Sequence, residues 1–200
     1  MTRKTVEFYF DFGSPATYLA WTQLPALCQQ AGAELVHKPM LLGGVFQATG
    51  NRSPAEVPAK SRYIRRDLEL YAARYGVPMR FNPHFPINTL LLMRGATAMQ
   101  MLDGGVRFGD YCRAMFHAMW VDEKNMGDLA VVGAVLHAAG FDPAELLAQA
   151  GQQPVKDRLK AVTEEAVARG VFGAPTMFVG QQMFWGQDRL DWLREALHAP

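Results

Sequence analysis

The hydroxyl of Ser14 is the group in this chain best placed to do chemistry. Ser14 follows the largely aromatic run Phe8–Phe12 and immediately precedes Pro15. A serine before a proline at the end of a strand predicts a helix N-cap, because its oxygen can accept a hydrogen bond from the first helical turn. The same place lies beside the positive end of the helix dipole, which favours an anion. We expect this hydroxyl to cap the helix and to donate a hydrogen bond to a thiolate that another molecule brings.

A Ser-His-Asp hydrolase finds less support in the sequence. Ser14 lacks a Gly-x-Ser-x-Gly setting and has no histidine near it, so a triad would need a histidine from a distant segment. The histidines also lack the spacing of metal ligands; they are His37, His84, His117, His137 and His198. We therefore expect no metal site.

A second segment, far along the chain, gives Ser14 its context. Ala174 and Pro175 precede the short apolar run Thr176–Val179. A cis bond at such an X-Pro pair would turn the backbone of Ala174 toward a cleft, where an extended peptide can pair with it. Together with the first segment, this is the layout of the thioredoxin fold. Redox members of that fold carry Cys-Pro-x-Cys where this chain has the sulfur-free run Ser14–Thr17, so disulfide chemistry is not expected.

The run Trp185-Gly186-Gln187-Asp188 is a candidate binding segment just before the last predicted helix. Backbone N–H groups at a helix start can bind a carboxylate, and the Asp188 carboxylate can bind an ammonium group. Together they would hold the head group of an α-amino acid. The alternative is that Asp188, with Asp191, only caps the helix.

Two further polar groups flank the start of the middle region. Asn51 lies in a polar loop, and Lys60 begins a basic helical stretch that continues through Arg62, Arg65 and Arg66. These side chains would hold an anionic small molecule if the helix leans over Ser14, and otherwise they form a solvated face. Asp11, at the end of the first strand, is interpreted as a structural hydrogen bonder.

The elements that must position these groups follow from periodicity and from Pro and Gly punctuation. Strands are predicted at 5–12, 34–38, 176–179 and 183–185, and helices at 15–31, 59–75, 88–102, 107–121, 128–139, 143–150, 154–169 and 188–198, with Asn88 as a helix cap. Residues 42–45 are predicted to be a Gly-rich loop, and Pro25 predicts a kink near Trp21. The predicted fold is α/β, a thioredoxin-like β-α-β … β-β-α domain interrupted by a long helical insertion. The corresponding domains are 1–45 with 165–200, and 46–164.

Composition excludes several functional classes. The 200 residues carry 20 Lys and Arg against 19 Asp and Glu, a formal net charge of +1, which gives no general nucleic-acid footprint. No apolar run approaches ~20 residues, so a membrane span is not expected. The N-terminal run is interrupted by Glu7 and Asp11 and predicts a strand, not a signal peptide. Cys28 and Cys112 stand alone in apolar helical patterns and are expected to be buried thiols in a reduced, cytoplasmic protein.

On these motifs the chain resembles the 2-hydroxychromene-2-carboxylate isomerases, relatives of the kappa-class glutathione transferases within the DsbA-like thioredoxin superfamily. The likeness extends over nearly the whole chain. It rests on four segments in order: Tyr9–Pro15, Gly50–Asn51 with Pro58–Tyr63, Val171–Phe178 and Trp185–Leu190.

The resemblance implies glutathione as cofactor and a role for each matching position. Ser14 would bond the glutathione sulfur, and Ala174, before Pro175, would pair its backbone with the tripeptide. Gln187 and Asp188 would hold the γ-glutamyl end, with Trp185 and Gly186 beside them.

The resemblance implies a small aromatic carboxylate as substrate and places Asn51 and Lys60 near glutathione or that substrate. Asn88 is a further candidate for substrate binding. The expected activity is the glutathione-dependent cis/trans isomerisation of 2-hydroxychromene-2-carboxylate to trans-o-hydroxybenzylidenepyruvate, a step of aromatic catabolism. The alternatives are a kappa-like transferase that conjugates an electrophile, and a glutathione-binding module without turnover. A homodimer is a family-based expectation.

Overall fold

The fold begins with a β-α-β unit. The computed structural model describes residues 3–102 and 105–199. Strand β1 (Thr5–Phe10) leads into helix α1 (Pro15–Gln30), and strand β2 (Glu34–Pro39) returns parallel to β1. Gly32 has a positive φ of 63°, a conformation that glycine adopts without strain, and it turns the chain out of α1. The helix continues through Pro25, and the kink near Trp21 stays a prediction.

A block of helices follows. Their bounds are α2 Leu42–Thr49, α3 Pro58–Tyr75, α4 Leu90–Met101, α5 Phe108–Trp120, α6 Leu129–Ala138, α7 Pro143–Ala150 and α8 Gln153–Ala168. The chain closes with β3 (Thr176–Val179), β4 (Gln182–Trp185), a short 3-10 turn (Gln187–Arg189) and α9 (Leu190–His198). Except for α2, each helix was predicted with ends that differ by a few residues at most.

Helix α2 contradicts the predicted Gly-rich loop. Its N-terminal Leu42 donates its backbone N–H to the Asp11 carboxylate at 2.8 Å, which gives the helix a start that local sequence does not show. A Cβ at Gly44 would lie 3.3 Å from Cγ2 of Thr163 on α8. The glycine therefore permits two helices to approach closely and does not mark a turn.

The sheet has four strands in the order β2-β1-β3-β4. Strand β3 runs antiparallel to β1, with Tyr9 opposite Thr176, and β4 runs antiparallel to β3. The central strand β1 therefore ends beside the beginning of β3. The carboxyl end of β1 leads to Ser14, and the segment before β3 contains Ala174, so the sheet brings the two predicted segments to one edge.

Apolar side chains pack on both faces of this sheet. On one face Phe10 and Phe12 join Phe116 of α5 in a large cluster that spans the β-α-β unit and the helical block. On the other face Tyr9 and Phe178 pack with residues of α8. The Trp120 indole donates a hydrogen bond to the Phe12 carbonyl at 2.8 Å, which fixes the helical block to the end of β1.

The two cysteines are unbonded and buried, as predicted. Burial raises the pKa of the Cys28 thiol to about 11 and that of Cys112 well above its ordinary value. Both thiols therefore stay protonated and unreactive at neutral pH. Across residues 3–102 and 105–199, no helix is both long and apolar enough to cross a membrane.

Candidate active site

Ser14 joins the two segments that the sequence singled out. Its backbone is extended, and its Oγ accepts a hydrogen bond from the Thr17 N–H at 3.2 Å, so it caps α1. The same Oγ donates to the Ala174 carbonyl at 3.0 Å, across 160 positions of sequence. The residue is only 6% exposed, so the hydroxyl is held in a defined place at the helix start. The capping role is thus confirmed, and the predicted meeting of Ser14 with Ala174 is observed.

The loop before β3 is held rigidly around the Ala174–Pro175 bond, which is cis as the sequence predicts. The Gly186 N–H donates to the Pro175 carbonyl at 3.0 Å, and the Thr176 hydroxyl donates to the Gly173 carbonyl at 2.8 Å. Among the described residues, the Ala174 N–H has no acceptor. Beside the cap of α1 there is thus one backbone donor that a bound peptide can use.

Asp11 fixes the turn that carries Ser14. Its buried carboxylate accepts hydrogen bonds from the Gly13 N–H at 2.8 Å, the Leu42 N–H at 2.8 Å and the Thr89 hydroxyl at 2.7 Å. Loss of hydration raises the pKa of the Asp11 carboxyl, although all three hydrogen bonds act in the opposite direction. One side chain therefore ties the Ser14 turn to the starts of α2 and α4, which confirms the structural interpretation of Asp11.

An aromatic surface borders the Ala174 loop. The Trp185 ring packs on Phe172 with centroids 4.9 Å apart, and a Cβ at Gly173 would come within 2.6 Å of the indole nitrogen. The Asn51 side-chain amide donates to the Phe172 carbonyl at 2.8 Å. Asn51 therefore lies at the predicted site through its contact with this loop, and about half of the Trp185 side chain remains exposed to a ligand.

The segment at the end of β4 presents one exposed carboxylate. Gln187 is buried, and its carbonyl accepts a hydrogen bond from the Tyr75 hydroxyl at 2.8 Å. Burial is the largest cause that raises the pKa of the Tyr75 hydroxyl to about 12, so this hydroxyl remains a hydrogen-bond donor at neutral pH. Asp188 is exposed and lies 2.6 Å from the Arg189 guanidinium. The helix-cap alternative for Asp188 and Asp191 is wrong, since α9 begins without a side-chain cap.

The remaining predicted residues differ in their relation to the site. Asn88 accepts a hydrogen bond from the Leu90 N–H at 3.0 Å and adjoins Thr89, which bonds Asp11, so it lies near the Ser14 turn. Lys60 is exposed, and within the described residues it makes no hydrogen bond or ion pair. The structure therefore gives Lys60 no contact with the site.

Sequence reasoning missed two residues that support the site. Thr89, not the predicted Asn88, is the N-cap residue of α4, but its hydroxyl donates to Asp11 and makes no cap hydrogen bond, so no local signal showed its role. Tyr75 fits the apolar face of α3, and nothing local showed that its hydroxyl reaches the Gln187 carbonyl 112 positions away.

The comparison with known families agrees with this geometry. Residues 5–198 match the model of the DSBA-like thioredoxin domain. A 2-hydroxychromene-2-carboxylate isomerase from Sphingobium xenophagum is 33% identical over 97% of this chain and 98% of its own length. Glutathione S-transferase kappa 2 from Caenorhabditis elegans is 29% identical over 99% and 93%.

A solved structure gives the same result in three dimensions. The structure of a 2-hydroxychromene-2-carboxylate isomerase superimposes with a TM-score of 0.85 at 30% identity, covering 96% of this chain and 94% of that one. With a full-length sequence match, a matching fold and a serine at the cap of α1, the chain belongs to the 2-hydroxychromene-2-carboxylate isomerase family of the DsbA-like thioredoxin superfamily.

Proposed function

We propose that the protein is a glutathione-dependent isomerase acting on a small aromatic carboxylate of the 2-hydroxychromene-2-carboxylate type. The observation that carries the proposal is the Ser14 hydroxyl, fixed at the N-terminus of α1 and 3.0 Å from the Ala174 carbonyl. The positions that hold cysteines in redox relatives are Ser14 and Thr17 here. The reactive sulfur must therefore come from a second molecule, and isomerases and kappa transferases are the named relatives.

The residues of the site fit a thiol tripeptide. The Ala174 N–H is a donor without an acceptor among the described residues, and an extended peptide offers a carbonyl for it. The exposed Asp188 carboxylate can exchange Arg189 for the ammonium group of the γ-glutamyl end. Trp185, half exposed and packed on Phe172 of the Ala174 loop, provides an apolar surface beside them. These contacts would hold glutathione with its sulfur toward Ser14.

Ser14 favours the ionised form of that sulfur. A free thiol has a pKa of about 8.5 and is mostly protonated at neutral pH. Rotation about the Cβ–Oγ bond redirects the single hydroxyl proton of Ser14 from the Ala174 carbonyl to the sulfur, and the dipole of α1 acts in the same sense. The Ala174 carbonyl is then open to an N–H of the bound peptide. The redirected hydroxyl and the helix dipole favour the thiolate, whereas the opened carbonyl favours binding of the peptide.

The chemistry then needs little from the protein beyond position. When bound, glutathione supplies a thiolate that adds reversibly to a conjugated carbon of the substrate, so that a double bond becomes a rotatable single bond and elimination regenerates the cofactor. Asn51 and Asn88 contribute amides near the Ser14 turn that can bind the substrate carboxylate. Lys60, which has no contact with the site here, would add a cation only if the start of α3 approaches the bound substrate. Asp11 keeps the Ser14 turn in place throughout.

The test compares two cap serines. Ser14 and Ser53 each accept a hydrogen bond from a backbone N–H of the following turn, but only Ser14 faces Ala174. Ser14→Ala should raise the pKa of bound glutathione, followed by ultraviolet thiolate absorbance, and slow isomerisation at neutral pH, with partial recovery at higher pH. Ser53→Ala should change neither. Equal isomerisation with and without glutathione, or an unshifted thiol titration in Ser14→Ala, would contradict the proposal.

A transferase is the second candidate, because the kappa transferase relative matches 99% of the chain. The two activities differ after the addition step, because an isomerase returns glutathione unchanged whereas a transferase releases the conjugate. Incubation with glutathione and either the chromene carboxylate or an electrophilic aryl halide separates them by which absorbance changes. Glutathione binding without either change would indicate a module without turnover.

A further inference from the structure

Arg94 on α4 is a cation that has no partner in the part of the chain that the structure describes. Its Nε is buried and makes no hydrogen bond to any residue in 3–102 or 105–199, and its guanidinium forms no ion pair there. Arginine stays charged at every physiological pH, so it cannot lose its charge to escape the cost of burial. Buried charges in proteins are normally paired or hydrogen-bonded. A partly buried guanidinium that is unpaired within the described residues therefore indicates a group that those residues do not supply.

Arg94 lines a cavity of about 810 Å³ between α2, α4 and α8. Leu41, Leu90 and Leu159 form apolar parts of the wall, and Lys156 lies on the α8 side. Cavities of roughly 300–1,000 Å³ with apolar walls and few polar groups are typical of small-molecule sites. The cavity thus combines space, apolar surface and positive charge.

The carboxylates in this cavity already have partners. Asp157 accepts a hydrogen bond from the Gln153 amide at 2.7 Å, and Glu164 lies 3.5 Å from the Lys160 ammonium group. Neither carboxylate reaches Arg94 in the described structure. The lining holds the three cations Arg94, Lys156 and Lys160 against the two carboxylates Asp157 and Glu164, so one positive charge is in excess and an anion is the group that would satisfy it.

The cavity is separate from the Ser14 site but borders its support. Ser14, Ala174 and Asp188 are absent from its lining. Its walls include Leu41 and Leu90, the immediate neighbours of Leu42 and Thr89, which are two of the three residues that bond Asp11. An occupant would thus lie near the residues that support Asp11 without contacting Ser14.

We propose that this cavity is a second ligand site, which binds a small apolar monocarboxylate with its carboxylate on Arg94 and its apolar body against the leucines. A planar guanidinium can bind one carboxylate through two parallel N–H···O bonds. This geometry is the reason for proposing a carboxylate as the anionic group. The inference stands on the cavity and Arg94, and it does not depend on the reaction at Ser14.

The test uses 1-naphthoate as the probe and 1-naphthalenemethanol as a neutral molecule of similar shape, with binding followed by calorimetry on the whole protein. We expect naphthoate to bind with an affinity that falls as salt rises, and the alcohol to bind at least tenfold more weakly. Arg94→Gln should weaken naphthoate at least tenfold and leave the alcohol unchanged. Arg158→Gln removes a cation of α8 that lies outside this cavity and should leave both affinities unchanged.

Two further measurements keep the result unambiguous. Arg94→Lys retains the charge but not the planar pair of donors, so it should bind naphthoate with intermediate affinity even if Arg94→Gln folds poorly. Naphthoate affinity should be the same in Ser14→Ala and in the presence of saturating glutathione. The proposal is overturned if naphthoate does not bind, if Arg94→Lys and Arg94→Gln both bind it normally, or if Ser14→Ala or glutathione abolishes its binding.

Discussion

Replacing Asp11 should show how strongly one buried carboxylate supports the site. Asp11→Ala leaves three donors without an acceptor: the Gly13 N–H, the Leu42 N–H and the Thr89 hydroxyl. A buried donor that loses its partner costs about 1–3 kcal/mol. The loss should therefore be about 3 kcal/mol or more, a large part of the ~5–15 kcal/mol that typically stabilises a folded protein.

Asp11→Asn tests the electrostatic part of the argument. Burial raises the pKa of the Asp11 carboxyl above its ordinary value of 3.8, despite three hydrogen bonds that favour the charged form. As pH rises above that ordinary value, Asp11 loses its proton in the unfolded chain before it does so in the folded protein. The folded protein then binds more protons than the unfolded chain, so the free energy of unfolding falls as pH rises. The fall is at most about 1.4 kcal/mol per pH unit and ends at the folded-state pKa. Asparagine does not titrate, so the difference between the two proteins isolates this effect.

The assay is urea unfolding of wild type and Asp11→Asn at pH steps from about 4 upward. We expect the stability of wild type relative to the variant to decrease with rising pH. Thr89→Val removes one hydrogen bond that lowers the pKa of Asp11 and should extend the decrease to higher pH. A relative stability that rises with pH would refute the reasoning, because it would mean that the three hydrogen bonds outweigh the loss of hydration.

Three further changes have defined outcomes. Asp188→Ala should weaken glutathione binding by about 1.5–3 kcal/mol in calorimetry, because a charged hydrogen-bond acceptor is lost; unchanged affinity would remove Asp188 from the site. Thr17→Val should raise the free energy of unfolding by about 1 kcal/mol, because the buried Thr17 hydroxyl has no partner among the described residues; a loss of stability would reveal a hidden partner. Gly173→Ala should displace the Trp185 indole, shift its fluorescence and weaken glutathione binding, since the new Cβ would lie 2.6 Å from the ring nitrogen. Gly109→Ala, where a Cβ meets nothing within 4 Å, is the matched control.

Local sequence was sufficient for most of the fold. Strong apolar periodicity, and stops such as Gly32 and Gly76, each with positive φ, defined β1, α1, β2 and most of the helical block. Helix α2 could not be predicted in this way. It contains two glycines, which disfavour a helix. Its first residue bonds Asp11, 31 positions earlier in the chain, and Gly44 lets it pack closely against α8. Such long-range contacts leave no periodic pattern in the sequence.

The site was predicted unevenly for a similar reason. Ser14, Ala174 and Pro175 belong to local patterns whose fold is recognisable, and the structure brings them together. The positions of Thr89 and Tyr75 depend on partners 78 and 112 positions away, Asp11 and the Gln187 carbonyl. Lys60 was predicted from its charge and from the family resemblance, and an exposed charge at a helix start does not define what lies opposite it.

The distance between Ser14 and Ala174 in the chain also bears on how the protein folds. One edge of strand β1 pairs with β2, and this pairing can form once residue 39 has been synthesised. The other edge pairs with β3, which lies much later in the chain at Thr176–Val179. Contacts between such distant segments form slowly, because closing a long loop precedes any gain from the pairing. A growing or truncated chain that ends before Ala174 therefore exposes one edge of an aromatic strand, which favours aggregation, and it cannot assemble the cleft. Synthesis as far as β3 is thus a precondition both for covering this edge of β1 and for assembling the cleft.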